Sequence, residues 1–244
     1  MSWNRKNMPA DLKGKIYVIT GTSSGIGTVL AYELLKRGAT VVAGNRNIKK
    51  AESALQSIKK EGDHFGEFLN LEIDVSSFVS VRKFAEIVIS NANISHIDGL
   101  ILNAGIMALP ERKVSVDGFE LQMATNVLGH HLLTSLLLPK IKLAKNAVIV
   151  STSSSASSVP KDPKLWEDLN ADKKYDPWEV YGVSKMAAYH FRDGLREQLA
   201  IQGYSEKIKV VSTHPGLTAT PLLVSLGEPV LHLNDILFKE PRQF

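Results

Sequence analysis

Short apolar runs alternate along the chain with longer stretches whose apolar residues recur every three or four positions. The short runs, at 15–19, 40–44, 68–73, 99–102, 147–152 and 208–213, are compact and rich in Val, Ile and Leu. Gly, Asn, Asp or Pro follow most of them, the signature of strands buried on both faces. The helical patterns fall at 28–37, 48–60, 118–143 and 179–201, with a further helix capped by Ser76 or Ser77 and running towards Ser90. A polar, proline-containing loop separates the fifth strand from the last helix over 157–177. Six strands interleaved with helices imply parallel pairing and right-handed crossovers. The expected fold is therefore α/β, a Rossmann-type doubly wound parallel sheet, with ligands at the carboxyl ends of its strands. Repeats, linkers and a second domain are not discernible, so residues 1–244 read as one domain.

Composition narrows this only slightly. A chain of 244 residues with 44% hydrophobic and 22% charged residues suits one α/β domain with a large core. The net charge of +4 is spread over isolated residues and short pairs such as Lys49-Lys50, which points to a solvated surface and not to a nucleic-acid stripe. Cysteine is absent, which excludes disulfides, thiolate metal sites and a cysteine nucleophile. No window approaches the roughly 20 apolar residues of a membrane span, and the first ten residues lack the apolar core of a signal peptide. The expected location is the cytoplasm, compatible with peripheral membrane association.

The turn after the first strand, Thr20-Gly21-Thr22-Ser23-Ser24-Gly25-Ile26-Gly27, opens directly onto a helix. Strand, glycine-rich turn and helix start make a phosphate cradle, because the first N–H groups of the helix are free and its dipole favours an anion. Glycines at 21, 25 and 27 do not match the usual dinucleotide fingerprint spacing, so the loop alone is also readable as a plain strand-to-helix turn. Tyr181 and Lys185 stand at i and i+4 and share a helical face, where a cation would lower the cost of ionising a phenol. The same spacing occurs at Tyr32 and Lys36, so context must separate the two pairs. The context of Tyr181 is a serine-rich strand end, Ser151 to Ser155, and a later strand-end Pro215-Gly216. Asn126, a weak helix former inside a long helix, calls for a bond to a backbone carbonyl or a held water. His130 and His131 lack cysteine or acidic partners and are not read as a metal site.

Taken in order, Thr20-Gly21-x-x-x-Gly25-Ile26-Gly27, Asp74, Asn103-Ala104-Gly105, Asn126, the serine strand, Tyr181-x-x-x-Lys185 and Pro215-Gly216 resemble the short-chain dehydrogenase/reductase family over about residues 13–243. The run from Asn126 to Thr134 and the long loop before Tyr181 resemble its retinol dehydrogenase and protochlorophyllide reductase branch. The resemblance implies an oxidoreductase that interconverts a carbonyl and an alcohol. Tyr181 would be the general acid/base, and Lys185 would bind the nicotinamide ribose and depress the phenol pKa. Asn126 would hold a water of the proton relay. Ser154 aligns as the catalytic serine, with Ser153 the alternative at one residue of slip. Gly21, Ser23, Ser24, Gly25, Ile26 and Gly27 would line the pyrophosphate and adenosine ribose, Asp74 and Val75 the adenine, and Asn103, Ala104 and Gly105 the adenosine side. Pro215, Gly216, Leu217, Thr218 and Thr220 would close over the nicotinamide.

At the end of the second strand the chain reads Gly44-Asn45-Arg46-Asn47. An acid there would repel a 2′-phosphate, whereas Arg46 can pair with one. The expected cofactor is NADP(H) in preference to NAD(H). Met107, Leu109, Leu222, Leu223, Val224 and Leu226 are candidates for an apolar pocket and a small lipophilic substrate, retinoid-, steroid- or aldehyde-like. Relatives of this branch continue well past the Pro-Gly motif. The resemblance thus implies that a last helix and a seventh strand are missing and that the sixth strand is an open edge. A homodimer with a four-helix support is the assembly the family implies. A second reading, from another class, is a truncated and catalytically impaired isoform that acts as a cofactor-binding or interaction protein.

Overall fold

A computed structural model describes residues 9–60, 65–158, 160, 162–216 and 222. The elements run β1 (Ile16–Thr20), α1 (Gly25–Leu35), β2 (Thr40–Asn45), α2 (Ile48–Ile58), β3 (Phe68–Glu72), α3 (Phe78–Ser90) and β4 (Gly99–Leu102). They continue with α4 (Leu121–Met123), a π-helical turn (Ala124–Leu128), α5 (Gly129–Leu143), β5 (Ala147–Thr152), α6 (Pro177–Ile201) and β6 (Ile208–Thr213). The strands form one sheet in the order β3-β2-β1-β4-β5-β6, parallel throughout. The order reverses between β1 and β4, so the carboxyl ends of these two strands flank the crevice of a doubly wound fold.

Both faces of the sheet are covered, which is why its central strands are continuously apolar. On one face Val18, Val42, Leu100 and Ile149 pack against Phe84 and Val88 of α3, Leu133, Leu137 and Ile141 of α5 and Leu199 of α6. On the other, Ile19, Val41 and Ile101 meet Ala31, Leu34 and Leu35 of α1 and Leu55 of α2. At the β6 edge, Lys209 and Val211 stand exposed.

Local sequence explains the helix starts. Asn47 and Ser77 accept the N–H of Lys50 and Ser80, capping α2 and α3. Asp176 accepts from Trp178 and Glu179 at the start of α6. Pro177 occupies the first turn of that helix, so it begins two residues before the expected Glu179. The helix expected over 118–143 differs more. Gly118 lies at φ 85 in a turn, helical geometry begins at Leu121 behind the Glu120 cap, and a π turn interrupts it at Ala124–Leu128. Among the described residues, 3₁₀ turns lie at Ser155–Ser158, where the polar loop begins, and at Pro163–Glu167 within it. The proposed seventh-strand deficit, Leu217, Thr218, Thr220, Leu223, Val224 and Leu226 lie outside the described residues.

Candidate active site

The glycine turn is held from beneath by a polar hub. Thr20 ends β1, and its hydroxyl accepts the backbone N–H groups of Asn103 and Ala104, each at 3.0 Å. The Asn103 side chain returns two bonds, to the carbonyls of Thr20 at 3.0 Å and Gly21 at 2.9 Å. The ends of β1 and β4 are thereby stitched together. A Cβ at Gly27 would lie 2.0 Å from Gly21 O and 2.6 Å from Asn103 Nδ2. Gly21 has φ +75, and its Cβ would lie 2.9 Å from Ala104 Cα. Only glycine allows this approach. Gly25 and Ile26 open α1, whose N-cap Ser24 makes no side-chain capping bond.

Asn45 fixes the outer side of the loop. Its Oδ1 accepts from Thr22 N and its Nδ2 donates to Thr22 Oγ1, both at 2.8 Å. Next to it, Arg46 is exposed, and Ser23 and Ser24 are half-buried. Asp74 is turned into its own loop, accepting from Ser76 N at 2.9 Å and Ser76 Oγ at 2.6 Å, while Val75 is buried. Pro215 and Gly216 are exposed beyond β6.

The other side of the crevice is built from α6, β5 and the π turn. Tyr181 and Lys185 are both buried on successive turns of α6. The Tyr181 phenol lies near the Ser154 side chain, which favours its ionisation, and Ser154 Oγ accepts the Ala156 N–H at 3.2 Å. Ser153 points elsewhere, donating to the Lys185 backbone carbonyl at 2.9 Å. Of the two alternatives, geometry brings Ser154 to the phenol. Lys185 Nζ donates to Thr152 O at 3.0 Å and lies 3.5 Å from the position a Cβ would take on Gly105.

Burial pushes the Lys185 ammonium down to about 8, because a buried cation loses its hydration. The expectation that Lys185 lowers the phenol is corrected. Burial raises the Tyr181 pKa, and the opposing influence is the nearby Ser154 side chain. The ammonium stands 5.7 Å from the ring centroid and serves Thr152.

Asn126 answers the question its helical position raised. Its Nδ2 donates to Ile106 O at 3.0 Å and Ser184 Oγ at 2.9 Å, and its Oδ1 accepts from Ile106 N at 3.0 Å. Ser184 Oγ in turn donates to Tyr181 O at 2.7 Å. The side chain clamps the β4 exit loop to α6, and its backbone carbonyl faces His130 Nδ1 at 3.4 Å. The π turn sets this position, and such turns recur at functional sites. Gly129 permits it, since a Cβ there would lie 1.8 Å from Val75 O.

Sequence reading missed a second clamp. Gln122 Oε1 accepts from Ala108 N at 2.7 Å, and its Nε2 donates to Tyr175 Oη at 3.2 Å. Tyr175 Oη donates to Leu109 O at 2.7 Å. Met107 and Leu109 are half-buried on this loop, and Ala108 is held at φ 45. Trp178 is 45% exposed, and its ring meets that of Tyr181 edge-on at 6.2 Å between centroids. Among the described residues no group of three or more His, Asp or Glu could hold a metal, and no helix is long and apolar enough to cross a membrane.

Comparison with known proteins adds the following. Residues 15–164 match the family model of short chain dehydrogenases. The chain is 37% identical over 212 residues to human retinol dehydrogenase 12, covering 87% of this chain and 64% of that one. It is 34% identical over 239 residues to a short-chain dehydrogenase/reductase of Armillaria gallica, covering 96% and 74%. The fold resembles the crystal structure of an uncharacterized protein from Mycobacterium paratuberculosis, with a TM-score of 0.76 and 33% identity over 100% of this chain and 82% of that one. The chain thus spans under two thirds of the length of its retinol dehydrogenase 12 relatives.

Proposed function

This chain belongs to the short-chain dehydrogenase/reductase family, and we propose that it is an NADP(H)-dependent oxidoreductase interconverting a carbonyl and an alcohol on a small lipophilic substrate. The observation that carries the reading is the buried Tyr181 phenol beside Ser154, with buried Lys185 one turn away. This set stands across the crevice from the glycine turn.

The residues fit a dinucleotide. The cradle at Gly21 and Gly27 is closed to any larger side chain, and α1 presents a first turn whose N-cap residue makes no side-chain capping bond. Gly21, Ser23, Ser24, Gly25, Ile26 and Gly27 would hold the pyrophosphate and adenosine ribose. Asp74 and Val75 would flank the adenine, and Asn103, Ala104 and Gly105 the adenosine side. Lys185 would bind the nicotinamide ribose, and Pro215, Gly216, Thr218 and Thr220 would cover the nicotinamide. The exposed Arg46 at the β2 end supports NADP(H) over NAD(H). When bound, the cofactor supplies or takes up the hydride.

The protein's own residues would handle the oxygen and its proton. Ser154 orients the Tyr181 hydroxyl towards the reacting oxygen. Tyr181 donates its proton as a carbonyl becomes an alcohol and accepts it in reverse. The Ser154 hydroxyl beside the phenol favours the phenolate that results, and Lys185 is left to bind the ribose. Asn126 holds α6 in place through Ser184. The half-buried Met107 and Leu109 and the exposed Trp178 give the entrance an apolar character suited to a lipophilic substrate.

NADPH oxidation measured against retinal, steroid ketones and aliphatic aldehydes tests the proposal. Turnover with at least one class is expected, with a lower Michaelis constant for NADPH than for NADH. Tyr181→Phe should abolish turnover yet keep the rise in melting temperature that NADPH produces. Equal turnover by Tyr181→Phe and wild type would overturn the reading.

A further inference from the structure

We propose that His130 is a positioning residue whose two ring nitrogens serve the two halves of the site separately, Nε2 holding the cofactor floor and Nδ1 holding the proton-handling turn. The assignment rests on the oxidoreductase reading above.

The hydrogen bonds fix the tautomer. A hydroxyl has one proton and two lone pairs. Thr20 Oγ1 already accepts two backbone N–H groups, from Asn103 and Ala104. Its proton must therefore go to His130 Nε2, 2.9 Å away. Nε2 is then the acceptor, and the ring proton sits on Nδ1. That nitrogen faces the backbone carbonyl of Asn126 at 3.4 Å. The ring is 3% exposed, and burial, with the Lys185 charge nearby, holds it neutral.

Each bond has a different consequence. Thr20 anchors Asn103 and Ala104, and these pack directly beneath Gly21 and Gly27. Losing the Nε2 bond frees the Thr20 hydroxyl to turn away from Asn103 and Ala104 and loosens the cradle. The Nδ1 bond lands inside the π turn, on the residue whose side chain steadies Ser184 and through it the Tyr181 turn of α6. Losing it lets Asn126 shift and displaces Tyr181 without touching the glycine turn. A ring that merely filled space would show no such division.

Two substitutions separate the bonds. The amide nitrogen of His130→Asn falls near the place of Nδ1 and keeps the Asn126 side. The longer side chain of His130→Gln puts its amide oxygen near the place of Nε2 and keeps the Thr20 side. His130→Asn should raise the NADPH dissociation constant about tenfold with a smaller loss in kcat, the size of one buried hydrogen bond. His130→Gln should lower kcat about tenfold with a smaller change in NADPH affinity. Nitrogen-15 NMR of the labelled wild type should find the neutral ring protonated on Nδ1 at pH 7. A wild type that neither binds NADPH nor reduces a carbonyl refutes the oxidoreductase reading, and the assignment with it. A working wild type whose two variants lose affinity and kcat in equal proportion refutes the assignment alone. If a variant fails to fold, the NMR measurement decides: a proton on Nε2 overturns the assignment.

Discussion

Acid should destabilise this protein through His130. The ring is held neutral down to about pH 4, against an ordinary value of 6.5. Burial is the chief cause, with the charge of Lys185 adding to it and the Asn126 carbonyl working the other way. Between these values the unfolded chain binds a proton that the folded chain refuses, so stability falls as pH falls from 6.5 to about 4. Above that window the group contributes no slope. At ~1.4 kcal/mol per pKa unit, the window is worth about 3 kcal/mol, a large part of a typical domain's stability. Glu120 works with the opposite sign, because burial raises its carboxyl and its protonation favours the fold in acid. Urea unfolding of wild type and His130→Leu, each at pH 7 and about pH 4.5, isolates the histidine from the carboxylates common to both. The stability difference between the two proteins should shift by about 2 kcal/mol towards the variant on acidification. A difference that stays constant across that range would show that the buried ring carries no such linkage.

Three further perturbations address other parts of the site. Gly27→Ala places a methyl 2.0 Å from Gly21 O, so the turn must open, and NADPH affinity should fall more than about tenfold; an unchanged dissociation constant refutes the cradle. Arg46→Ala should cut the preference for NADPH over NADH about tenfold, read as a ratio of Michaelis constants, and an unaltered ratio removes Arg46 from the cofactor site. Trp178→Ala should raise the Michaelis constant for an apolar carbonyl several-fold while leaving the NADPH dissociation constant alone, consistent with its exposed ring beside Tyr181; a change confined to NADPH binding places the residue elsewhere.

How much of this was legible in the sequence depends on the range of the interactions. Strands read cleanly, because burial on both sheet faces demands continuous apolar runs, and the Ser76-Ser77 pair announced α3 with a local cap, which Ser77 supplies. The π turn at Ala124–Leu128 did not read, since one extra residue in a turn barely alters apolar spacing. Nor did the clamp on the long loop. Arg112 bonds Asn170 O and Asp172, and Asn170 Oδ1 accepts the Glu120 N–H. Polar partners some fifty to sixty residues apart leave no local pattern. His130 was visible only as half of a histidine pair, because its meaning comes from Thr20, 110 residues away.

The two tyrosine–lysine pairs show what turns a spacing into a site. Tyr32 and Lys36 also stand at i and i+4, with Lys36 Nζ 3.4 Å from the phenol oxygen. Lys36 is exposed, so water screens its charge. Lys185 is 5% exposed and its pKa falls from 10.5 to about 8. The unfolded chain then binds a proton more readily than the folded one between those values. At pH 7 the charged lysine thus costs about 3 kcal/mol of stability, offset in part by its bond to Thr152 O. A purely structural position would be better served by methionine, which fills similar space without the charge. Lys185→Met should therefore leave the urea midpoint at pH 7 unchanged or raised while turnover is lost. A destabilisation of about 3 kcal/mol or more would instead mark the ammonium as structural glue. What distinguishes Tyr181–Lys185 from its twin is therefore enclosure: the same two side chains acquire chemistry when Ser154, Thr152 and Asn126 close around them.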